Sequence, residues 1–232
     1  MRSPRVSPAL PAFALLVLLS SVAGAEEYKI EPLKEAPPSV LAAEIRGILA
    51  TEGYRVVDGQ GKSIAEVWLR KSIPASEKPG AMKGQILFPF LAEGTLLGAL
   101  RYPVEGHDYR DQSIAQGVYT LRYGLQPVNG DHLGVSPYRD YALLLPAAKD
   151  TKVADLPKKS LEERSAESAG TSHPAVLMLL MPPAGAGAAP AMFHDGEKDT
   201  WGALMPLTLG VKGASAPATF SVQLIVVGVA AA

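Results

Sequence analysis

The four histidines and the acids next to them are the residues of this chain with the most chemical potential. Three of them stand beside an aspartate, in His107-Asp108, Asp131-His132 and His194-Asp195, and Met192 stands close to the last pair. Neutral imidazoles, carboxylates and a thioether are a donor set suited to zinc or copper. If the fold brings the last two pairs together, His132, His194, Asp131 and Asp195 form a candidate site for either metal. Tyr138, Arg139 and Asp140 follow Asp131-His132 closely. Asp131, His132, Tyr138, Arg139 and Asp140 therefore form a candidate binding surface. Arg139 and Asp140 point to opposite faces of any strand that starts there, so one of them is expected to be buried and to need a partner, most simply an ion pair. A third chemistry is hydrolytic, with His132 as general base and Arg139 binding an oxyanion or carboxylate. The spacings that would strengthen these readings are missing. There is no H-x-H or H-E-x-x-H, no G-x-S-x-G elbow, no P-loop and no dinucleotide fingerprint. The sequence therefore favours a non-enzymatic protein with no cofactor.

These residues must be positioned by strands. The stretch 116–148 reads as one β-hairpin around which the chain is organised. Tyr119, Leu121, Tyr123 and Leu125 fall on one face of its first arm and Thr120 and Arg122 on the other, the period of two that marks a strand with one face on a core. Asn129-Gly130 is a turn dipeptide. Upstream, 26–38 reads as extended because of its prolines, 40–51 as a short helix capped by Ser39 and stopped by Gly53, and 54–58 and 62–71 as strands. Trp68 is expected in the core. Strands are further expected over 86–90, 95–102, 174–181, 201–211 and 220–226, with 174–181 covered on both faces and Ala203, Met205, Leu207 and Leu209 inward. The charged segment 149–173 carries Ser160-Leu-Glu-Glu163, a capping-box pattern that predicts an exposed helix over 161–168. Gly and Pro, 22 and 20 residues, punctuate short apolar runs, which selects an all-β fold over a helical one. The expected architecture is an antiparallel β-sandwich of about seven to nine strands with a short N-terminal helix and a short helix in a long loop. Strict alternation of strand direction would put the 128–137 connection and the one holding His194 at one end, and the loops holding His107 and His173 at the other.

Ala115-Gln-Gly117-Val-Tyr119-Thr-Leu121, followed by the apolar return strand 141–145, resembles the Ala-x-Gly-x-Tyr-x-Leu hairpin of secreted bacterial β-sandwich proteins of unknown function. The resemblance covers about thirty residues and implies the sandwich fold; it brings no catalytic residues.

Composition bounds where such a protein works. Arg2 and Arg5 precede an apolar run over 9–22, and Ala23-Gly24-Ala25 has the small-residue pattern of a leader cleavage site. The run is shorter than the ~20 residues a spanning helix needs. The expected organisation is a signal peptide over 1–25, an N-terminal arm and helix over 26–53, and a β-sandwich domain over 54–232, periplasmic or secreted, with no transmembrane anchor after cleavage. The net charge is −1, and losing Arg2 and Arg5 takes it to −3, so no nucleic-acid partner is expected. With no cysteine, stability must come from packing and not from disulfides. The function expected is binding of a protein, a glycan or an envelope component through the loop ends.

Overall fold

The computed structural model describes residues 27–128 and 136–230. The chain is mostly β, with 42% strand and 9% helix, which bears out the class read from the sequence. Its form differs from the expected sandwich, because the main sheet has 11 strands and curls into a half-barrel.

The elements run β1 (Lys29–Leu33), α1 (Ala43–Ile48), β2 (Gly53–Val57), β3 (Ser63–Leu69), β4 (Ile73–Ala75), β5 (Leu96–Tyr102), β6 (Gly106–His107), β7 (Ser113–Ile114), β8 (Gly117–Leu125), β9 (Asp140–Pro146), α2 (Lys158–Ala169), β10 (Val176–Leu180), β11 (Ala191–Asp195), β12 (Thr200–Val211) and β13 (Ala218–Val227). Across the sheet the order is β1-β2-β3-β5-β8-β9-β10-β13-β12-β11, with β4 lying parallel on β12 and β6-β7 forming a separate ribbon. The central hairpin stands as expected, in register from Tyr119↔Pro146 to Leu125↔Asp140. β10 divides its pairing, Val176–Met178 with β9 and Leu179–Leu180 with β13, so it joins the two halves of the curl.

The inward positions fill the concave side. Tyr119, Leu121 and Tyr123 meet Ala203, Met205, Leu207 and Leu209 and the Val222, Leu224 and Val226 series in one buried cluster. The convex face is covered in patches. α1 lays Ile45 over Trp68, which is fully buried and donates its indole N–H to the Glu35 carbonyl at 2.7 Å. α2 lays Leu161 over Tyr141, Leu143, Met178 and Ile225. Between them the 147–157 connection is held by a buried ion pair. The Arg122 guanidinium donates to both oxygens of Asp150, at 2.6 and 2.9 Å, and to the carbonyls of Gly94, Lys152 and Ala154. Gly94 belongs to this knot. Its φ is +86°, and a Cβ there would stand 2.1 Å from the Leu156 carbonyl oxygen.

Several local expectations change. The 86–90 segment forms only an isolated bridge, Lys83↔Ile86, because Leu87 and Phe88 give their N–H groups to a side chain and not to a strand. Neither Ser39 nor Ser160 caps a helix. α1 is entered through Ala42 and α2 through Pro157, which leaves Ser160 inside the helix. Gly53 opens β2 where a Cβ would lie 2.5 Å from the Val67 carbonyl. No helix among the described residues is long and apolar enough to cross a membrane.

Candidate functional site

Asp140, Arg139 and Tyr138, the described part of the expected binding surface, hold the hairpin end together. Asp140 is fully buried and accepts from the Tyr123 hydroxyl at 2.6 Å and from the Leu87 and Phe88 N–H groups at 2.8 and 3.0 Å. It is the buried member of the Arg139/Asp140 pair, and hydroxyl and backbone donors take the place of the expected ion pair. Desolvation raises its pKa above the usual carboxylate value, against those three hydrogen bonds, which favour the charged form. Arg139 donates through Nε to the Gln126 carbonyl at 2.7 Å, and its own N–H pairs with the Gln85 carbonyl. Tyr138 is half-buried against the core. Through these bonds Asp140 and Arg139 stitch the 85–88 loop to the hairpin. Asp131 and His132 lie outside the described residues.

The His194-Asp195 pair is also engaged locally. His194 stacks on Trp201, with centroids 4.4 Å apart and planes 13° from parallel, and its Nε2 lies 3.2 Å from Asp199 Oδ1. Asp195 accepts from the N–H groups of Glu197 and Lys198 and so closes the β11–β12 turn. Among the described residues no group of three His, Cys, Asp or Glu side chains stands close enough together to hold a metal ion.

The end of the sheet assigned to His194 also changes. The sequence reading placed His194 in a connection between strands, but Ala191–Asp195 is itself a strand, antiparallel to β12 and paired His194↔Trp201. That extra traversal reverses the parity. β10 begins at the end where β9 leaves, β13 returns to it, and β12 starts there. His194 therefore lies at the end holding His107 and His173, opposite the Leu125–Asp140 rung. The charge of Asp195 is felt by Tyr109, which is consistent with that placement.

A cleft that sequence reasoning missed lies between α2 and the convex face of β8, β9 and β10. It encloses about 320 Å³. Tyr141, Leu143 and Val176 form its floor, Pro127 and Pro174 its walls, and Arg110, Glu162 and His173 its rim. Gly124 makes room for it from below, since a Cβ there would stand 2.4 Å from Leu143 Cδ1 and 3.4 Å from Leu161 Cδ2. The Tyr141 hydroxyl donates to Gln126 Oε1 at 3.2 Å, and burial pushes its pKa up to about 12.

The rim is built to stay in place. Asp108, itself buried, accepts through Oδ1 from the N–H groups of Arg110 and Gln112 at 2.9 Å each, an Asx-type turn. Its Oδ2 accepts from the Gln112 side chain and from the Val176 N–H at the start of β10. The Thr171 hydroxyl donates to Gln112 Oε1 at 2.6 Å and accepts from the His173 N–H at 3.1 Å. Arg110 and His173 are thus carried on one hydrogen-bonded frame. The Asp108-x-Arg110-x-Gln112 spacing was a readable turn signal, but nothing in the sequence linked that turn to β10 or α2.

No known family model, curated protein or solved structure matches this chain. The site has to be read from its own chemistry.

Proposed function

We propose that the chain is an exported, non-enzymatic binding module that takes a small, largely apolar molecule of the cell envelope into the cleft beneath α2. The observation that carries this reading is an apolar floor of Tyr141, Leu143 and Val176 in a space of about 320 Å³, below a rim fixed by Asp108 and Thr171. Ligand pockets combine that kind of floor and volume with a few placed polar groups. A more open hollow of about 430 Å³ beside Pro74, Phe90 and Thr95 fits the role less well. The Thr95 hydroxyl there is a buried oxygen with no hydrogen-bond partner among the described residues, and it offers the hollow almost no exposed surface. Export is supported by the basic, apolar and small-residue order of positions 2–25.

Fluorescence titration with the neutral dye Nile red tests the cleft. Saturable binding is expected, and Val176→Trp should abolish it while far-UV circular dichroism stays unchanged. Absence of saturable binding, or a variant that binds as well as the parent, defeats the reading. Export is checked by the mass of the chain recovered from the periplasm or medium, which should lack the leader.

A further inference from the structure

Resting on that reading of the cleft, we infer that its ligand is an organic anion, a carboxylate head on an apolar body, with the head held by Arg110 beside His173. The first support is charge. Arg55, Arg101 and Arg122 each have a carboxylate within 4.0 Å, whereas the other described arginines have none, and of those Arg110 is the one in the lining of the cleft. Arg110 forms no such pair among the described residues, although it lines an apolar cleft. Glu162, the carboxylate of the lining, is already paired with Lys158 at 3.8 Å and does not come within ion-pair distance of Arg110. The second support is positioning. The backbone of Arg110 is fixed by Asp108, so the guanidinium starts from an anchored Cα and only its side chain has to be ordered on binding. The third is the neighbour. The backbone N–H of His173 is held by the Thr171 hydroxyl, and its imidazole stands at the rim with no hydrogen bond or ion pair among the described residues, so a ring N–H is open to an anion.

A guanidinium matches a carboxylate in a two-point fork, and a hydrogen bond to a charged group is stronger than one between neutral groups. An apolar floor next to such a fork selects a molecule with one charged end.

Decanoate, decanol and decylamine share one chain length and differ in the head, so their displacement of Nile red from the full chain reads the head alone. Decanoate is expected to bind roughly ten-fold or more tighter than decanol, the range a charge-assisted hydrogen bond supplies, and decylamine weaker than decanol. Arg110→Gln should lower decanoate to the level of decanol and leave decanol unchanged. The turn survives that substitution because Asp108 holds the backbone N–H and not the guanidinium. His173→Asn should cost decanoate less than Arg110→Gln does. If decanol binds and decanoate binds no better, or if Arg110→Gln keeps the preference, the anion inference is overturned and the apolar cleft stands. If none of the three displaces the dye, both fall.

Discussion

At the scale of single residues, two buried charges show opposite arrangements. Asp140 sits among a hydroxyl and two amides, with desolvation raising its pKa. In a window just above the ordinary value of 3.8, the native chain keeps a proton that the unfolded chain has released. The unfolded state then binds fewer protons, so this group's contribution to stability falls as pH rises through that window. Carboxyl carbon NMR should place the Asp140 midpoint above 3.8; a midpoint at or below that value contradicts the desolvation argument. Arg122 and Asp150 are both fully buried and answer each other directly, with Thr120 and three carbonyls completing the set. Arg122→Met removes one partner and leaves Asp150 uncompensated, so chemical denaturation should show a loss of about 3–5 kcal/mol. Replacing Asp150 by Asn in the same background should recover part of it, because the orphan charge is gone. The alternation 119–125 put Arg122 on the face away from the tyrosines, which is correct. Its burial could not be read there, because the residues covering it lie about thirty positions downstream and only the fold brings them back.

At the scale of elements, α2 docks by an unusual face. Its buried residues are Leu161, Ser165 and Ser168, and the two serine hydroxyls donate to sheet-side carbonyls, Ser165 to Ala175 at 3.0 Å and Ser168 to Leu144 at 2.9 Å. One apolar side chain and two small polar ones leave a weak helical signature, so the segment looked like a solvated run of charges. The capping box misled for a related reason. Its acceptor, Ser160, sits three residues inside the helix, past the orphan N–H groups it would have satisfied. Ser160→Ala should therefore change thermal stability by less than about 0.5 kcal/mol, whereas Ser168→Ala, which strands a carbonyl in the interface, should cost about 0.5–1.5 kcal/mol. Equal effects of the two substitutions would overturn this account. β11 escaped notice because it is a short edge strand, half-exposed and ending in His-Asp, with no apolar alternation to mark it. That one element decides which end of the sheet receives His194.

At the scale of the whole molecule, the strands of 174–181, 201–211 and 220–226 were legible because each carries a continuous inward series. Their assembly into one curled sheet was not, because curvature depends on which strands pair and not on any one of them. The curl brings the two edges toward each other. Tyr28, just ahead of β1, meets Trp201 edge-on at 5.4 Å, and His194 covers a face of that indole. By strand pairing among the described residues, the halves are joined at β10. Hydrogen–deuterium exchange should find the amides of β10 exchanging sooner than those of the long β12–β13 ladder, and β10 amides exchanging as slowly as that ladder would contradict the division.

A strand shared lengthwise between two partners behaves as a seam. Each partner holds only part of it, so one side can be unlatched without dismantling the other. The floor of the cleft contains Val176, which lies on the β9 side of that seam and is pinned at its start by Asp108. A guest wedged beneath α2 would therefore press on the end of β10 that Asp108 and β9 hold, and not on the Leu179–Leu180 end that β13 holds.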